Sequence, residues 1–200
     1  MSGLNPMRSR ELIRQEMRRE KKEKARMDEF FKCIVHGKVE GAKELLKEKS
    51  DLSFQKSAVT DLSQRTYKMM TGFQYALWAL DGEMWEMLLQ YMSTEEAAVQ
   101  FLELEKAEGT GYGKCFNLEP FTKALNAPED AVGRVERLLP KHLINKYLSQ
   151  PYSFEALQSL LPIIKIRQRQ RADLGVKLRQ YGENPKQLVN TPLPQPPSLI

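Results

Sequence analysis

The chain has 200 residues, 41% of them hydrophobic, with 31 Lys/Arg against 26 Asp/Glu, a length that supports one core with tails and not several independent ones. Its charge is divided by position: residues 1–27 hold nine Lys/Arg and four Glu, residues 165–186 seven and two, and the rest fifteen and twenty, so each end is +5 and the body −5. That division excludes a basic body of the kind that makes an extended nucleic-acid face; basic extensions on an acidic body read as solvated helices or weak anion contacts.

Residues 8–27, RSRELIRQEMRREKKEKARM, contain no Gly or Pro and predict a charged helix, with Leu12, Ile13 and Met17 as a thin apolar stripe able to dock on the body. From Asp28 the pattern changes to short apolar helices, Phe30 to Val35 and then Val39 to Lys49, separated at His36-Gly37. Residues 50–70 read as a long loop or finger. Two short helices follow on either side of Asp81-Gly82, where Asp81 caps the second and Gly82 relieves the turn. Ser93 and Glu96 form a capping box for a helix ending at Gly109.

The stretch TGYGKCFN lacks the Gly-Lys-Ser/Thr ending of a phosphate-binding loop and has no strand pattern before it, so it reads as an ordinary connection. Leu118 to Leu125 predicts a further helix, residues 130–148 a longer one interrupted at Pro140, and Ser153 to Leu161 a short one ended by Pro162. Residues 165–181 are open between an exposed strand and a basic helix. From Gly182 onward five prolines mark a disordered tail. No apolar run approaches the ~18 residues of a membrane span, no secretory apolar region follows the start, and Cys33 and Cys115 lie in apolar surroundings. A soluble protein in a reduced, cytosol-like compartment is expected.

One frame recurs: an aromatic, two spacers, a small residue and an aliphatic, as Phe30-Cys33-Ile34, Phe73-Ala76-Leu77 and Phe121-Ala124-Leu125, at offsets of 43 and 48. Large and small groups on one helical face suit close stacking of helices. A second helix with a Leu-Leu pair follows each frame, at Leu45-Leu46, Leu88-Leu89 and Leu138-Leu139. Such hairpins cannot bury their faces alone, and about three are the minimum stable array. Trp78, Trp85 and the methionines of residues 71–92 then belong to the core of a middle unit and not to a ligand box.

These residues carry a resemblance. Thr71-Gly72-Phe73-Gln74 followed by Tyr75-Ala76 resembles the Thr-Pro-Leu-His-x-Ala start of an ankyrin repeat, with Glu119 to Ala124 in similar register and FFKCIVHGKVEGAKELLKEKSDL similar to an ankyrin helix pair. Gly72 and Gln74 stand where Pro and His are usual, and the units are longer than ordinary ankyrin repeats. Residues 60–88 are also similar to a divergent ankyrin-like module of effector proteins that intracellular bacteria inject into host cells. Thr71, Phe73, Tyr75, Ala76, Trp78, Ala79, Asp81, Met84, Trp85 and Met87 match its string. The resemblance implies a protein-binding scaffold acting on a host protein.

Chemistry has few candidates. His36 and His142 lack metal-ligand spacing to Cys, Asp or Glu, Cys33 occupies the small slot of the recurring frame and reads as packing, and Glu95-Glu96, Glu103-Glu105 and Glu129-Asp130 read as helix-face acids. No catalytic residue, cofactor or metal is assigned; a cysteine- or carboxylate-based hydrolase is the enzyme alternative. The expectation is an all-α, ankyrin-like hairpin stack over 28–164, with a basic helical extension (1–27), a basic helix or extended segment (165–181) and a disordered Pro-rich tail (182–200). It binds another protein through the finger residues Arg65, Tyr67 and Lys68, since polar loops on a rigid stack can contact a partner without disturbing its core. The alternative is nucleic acid or anionic membrane held by the basic ends.

Overall fold

The computed structural model describes residues 6–60, 66–106, 116–126, 138–147 and 154–183. They are mostly helical, as expected of an all-α chain. Helix α1 runs unbroken over Pro6–His36, so the charged helix and the first apolar helix are one rod about 46 Å long. Nothing between Met7 and His36 breaks a backbone: Asp28 changes the composition and not the conformation. Gly37 ends the rod at φ +67°, and Lys38 N–H donates to Cys33 O at 2.9 Å across that turn, the left-handed stop for which glycine is suited.

Helix α2 (Val39–Glu48) returns along α1. The expected finger then takes regular structure. A 3-10 turn at Ser50–Ser53 leads to an antiparallel hairpin of β1 (Ser57–Thr60) and β2 (Thr66–Met70), pairing Val59 with Tyr67 and Thr60 with Thr66, with a register shift between Ser57 and Val59. β-Branched and aromatic residues at these pairs favour a strand, but the run is too short for its alternation to announce itself.

Helix α3 (Gly72–Ala79) is the centre of the molecule, every one of its eight residues buried. A helix apolar all round belongs inside a core. Thr71 and Gln74 close it with a reciprocal capping box. Helix α4 (Gly82–Leu89) begins at Asp81, whose Oδ1 accepts from Met84 N–H at 3.2 Å. The expected role of Gly82 in relieving the turn is corrected here: Leu80 takes the left-handed position at φ 61°. Gly82 instead leaves room for the Arg167 side chain, whose Cζ would lie 2.8 Å from a Cβ there.

Helices α5 (Thr94–Lys106), α6 (Glu119–Leu125) and α7 (Lys141–Tyr147) follow, α5 opening with the Ser93/Glu96 box. Helix α8 then spans Phe154–Glu183 in one piece with Pro162 in its third turn. The expected stop at Pro162 is therefore corrected, and the helix runs on through residue 164. Leu157, Leu160, Ile164, Arg167, Arg171, Leu174 and Leu178 make one continuous buried seam, which packs chiefly on α5 and holds the helix together across the missing proline N–H.

Helices α1 and α2 form one hairpin, α3 and α4 a second, and the two lie side by side, α1 on α3 and α2 on α4. The junction is tight: a Cβ on Gly72 would sit 3.1 Å from the Phe30 ring and 3.3 Å from Ile34. Phe30, Phe73 and Phe121 are all fully buried. The third frame differs in its surroundings, since α6 packs on α8, while the chain leading into it is tied to α3 by Phe116 N–H donating to Trp78 O at 2.8 Å. Much of the expected third hairpin, like the loop at 107–115 and the tail from 184, lies outside the described residues.

Candidate partner-binding groove

Where α2 lies beside α4 the surface opens into a groove of about 660 Å³. One wall is the start of α2, with Lys38, Glu40 and Lys43 around the small Gly41; the other is the outer face of α4, with Glu83, Glu86, Met87 and Gln90. Gly41 packs closely on α1, with the thiol of Cys33 3.0 Å from its Cβ position. Burial pushes the Glu86 carboxyl above its ordinary range, Arg167 and Lys146 oppose that, and neighbouring Glu83 adds to it. Glu83 itself is paired with Lys146 of α7, whereas Lys38 and Lys43 make no ion pair among the described residues.

Gly37, at one end of the groove, is packed under His142, whose Cβ would be 2.6 Å from a Cβ at that glycine. His142 Nδ1 is 4.0 Å from Asp81 Oδ2 and both side chains are buried. Three elements meet here: the α1–α2 turn, the α3–α4 turn and α7. His142 Nε2 is buried without a hydrogen-bond partner among the described residues, and burial pushes the imidazole below its ordinary 6.5, with Asp81 opposing and Arg167 and Lys146 adding to the depression. Histidine beside aspartate is the geometry of an oriented base. The thiol of Cys33, beneath Gly41, is pushed up by burial first and by Glu29 second, with Lys38 and Lys32 opposing.

Of the residues expected to contact a partner, Arg65 lies outside the described residues and Lys68 is described only as part of β2. Tyr67 is 1% exposed. Its ring centroid is 4.6 Å from that of Trp78 and 5.8 Å from that of Tyr75, because the pleat of β2 alternates faces and turns Tyr67 onto α3. It is a core residue and leaves the contact set. Trp78 and Trp85 are buried too, as a packing unit requires. Among the described residues no group of three or more His, Cys, Asp and Glu is placed to hold a metal, and no helix is long and apolar enough to cross a membrane.

No family model matches the chain, and no solved structure matches it. It is 30% identical over 103 residues to an uncharacterized protein of Coxiella burnetii (strain RSA 493 / Nine Mile phase I), a match covering 51% of this chain and 29% of that relative.

Proposed function

We propose that the chain is a protein-binding scaffold of the ankyrin-like kind, and that the groove between α2 and α4 is its contact surface. The observation that carries this reading is the side-by-side packing of two helical hairpins, which leaves an open cleft whose Lys38 and Lys43 have no ion pair among the described residues. A polar cleft on a rigid, fully packed stack offers directed hydrogen bonds and charge pairing at little ordering cost. The similarity of residues 60–88 to bacterial effector modules supports a host-cell protein as the partner.

The test is affinity capture from host-cell lysate with the full chain and with a variant carrying Lys43→Glu and Gln90→Lys. Both positions are solvent-accessible, so the melting temperature should stay within about 2 °C. Loss of specific captured proteins at unchanged stability supports the groove; equal capture by both chains contradicts it.

A further inference from the structure

The two basic ends are equal in sequence and unequal in space. On α8 the arginines turn inward: Arg167 and Arg171 are 8% and 9% exposed, and Arg171 and Arg179 both pair with Glu105, at 3.4 and 3.1 Å. On α1, residues 11–25 are exposed throughout, and among the described residues the ion pairs that tie this stretch to the body lie near its end, Lys49 to Glu23 and Arg26 to Glu48. Arg14, Arg18, Arg19, Lys21, Lys22 and Lys24 form no ion pair among the described residues.

At about 100° per residue, Arg14, Arg18, Lys21 and Lys22 fall within one face about 100° wide and about 12 Å long. Leu12, Ile13, Glu16, Met17 and Glu20 fall outside it, and Glu11 stands on the same side one turn before Arg14. We propose that this face of the projecting half of α1 binds the phosphate backbone of nucleic acid, independently of the groove. A row of cations along one side of a helix, none of them ion-paired among the described residues, is the electrostatic footprint of a polyanion contact. The body between the ends is net −5 and repels the same polyanion, which confines the contact to the arm. An anionic bilayer fits less well: a helix lying in the interface needs an apolar side to immerse, and here Glu16 projects between Leu12 and Ile13, with Glu20 beside them.

The experiment is fluorescence anisotropy of labelled duplex DNA and single-stranded RNA, each about 20 nucleotides long, titrated with the full chain across a potassium chloride series. Four cations meeting four phosphates predict a log–log salt slope of about −3.6 on duplex and roughly hundred-fold weakening between about 50 and 200 mM salt. Arg14→Gln, Arg18→Gln and Lys21→Gln together should weaken binding at least about ten-fold, and the three control changes Lys165→Gln, Arg169→Gln and Lys177→Gln on the exposed side of α8 less than about two-fold. Far-ultraviolet circular dichroism of both variants checks that they remain folded. Absence of binding at the lowest salt, equal losses from the two triple variants, or tighter binding to vesicles containing about 30% anionic lipid would each overturn the proposal. Preference for RNA or for DNA identifies which source of phosphate the arm takes.

Discussion

The ring of Phe101 on α5 lies against Gly175 on α8, so close that a Cβ at that glycine would sit 2.5 Å from Cζ and 3.1 Å from Cε2. The guanidiniums of Arg171 and Arg179 stand 5.5 and 5.4 Å from the same ring centroid, and both pair with Glu105 one turn along α5. This contact fastens the last long helix to the body. Alanine at 175 gains up to about 1 kcal/mol of helix propensity but forces the ring and the helix apart, at about 1–3 kcal/mol. Gly175→Ala should therefore lower stability by roughly 1–2 kcal/mol in urea unfolding, while Gly182→Ala, which meets only the movable tip of Leu102 at 3.1 Å, stays within about 0.5 kcal/mol.

Glu105 is the acid that neutralises this seam. Its side chain is 22% exposed and that of Arg171 11%, so the pair is sheltered enough to matter and not so deep that desolvation cancels it. Glu105→Gln should cost about 1–2 kcal/mol, with the difference from wild type shrinking as salt rises, since Arg179 is 42% exposed. Equal differences at low and high salt would assign the loss to packing.

A buried polar network anchors the start of α3. Thr71 N–H donates to Gln74 Oε1 at 3.0 Å, Gln74 N–H returns to Thr71 Oγ1 at 3.1 Å, and Gln74 Nε2 donates to Gln100 O at 2.9 Å. Gln74→Leu leaves the Thr71 N–H unsatisfied in the core and removes the bonds from Gln74 Nε2 to the Gln100 carbonyl and to Glu103, so a loss of about 1–3 kcal/mol is expected. A loss below about 0.5 kcal/mol would mean that water reaches this network.

What was legible in the residues was local. Ser93 with Glu96, and Asp81 ahead of Met84, announce their caps because donor and acceptor are three positions apart. Leu80 in a left-handed turn does not, because packing of its fully buried side chain imposes that backbone. Pro162 reads as a stop, yet the seam from Leu157 to Leu178 overrides it. The same reading missed the β-hairpin, where Val59, Thr66 and Tyr67 are the few strand-favouring residues among polar ones. The groove was out of reach: Glu40 and Lys43 meet Glu86 and Gln90 only through the stacking of distant elements, and no spacing in the chain links them.

The buried histidine sets a pH dependence. Its folded-state pKa is depressed below the 6.5 of the free group, so the folded chain binds fewer protons than the unfolded one in the window beneath that value. Its contribution is complete above about 6.5 and is lost as pH falls through the folded pKa, by at most about 1.4 kcal/mol per pH unit. Glu86, raised from 4.5, acts in the opposite sense, being most favourable below 4.5 and less so as pH climbs through its folded value. Between about pH 7.5 and 5.5 the wild type should lose more stability than His142→Leu, measured by urea unfolding. Parallel losses would show that His142 does not titrate with unfolding.

Site-specific photo-cross-linking asks most directly whether the α2–α4 groove meets the partner. A photoreactive residue at Gln90, on the groove wall, is compared in host-cell lysate with one at Val99, which is 52% exposed on α5. Discrete adducts from Gln90 that disappear with Lys43→Glu, and none of the same mass from Val99, are the predicted result. Identical adduct patterns from the two positions, or adducts indifferent to Lys43, would contradict it.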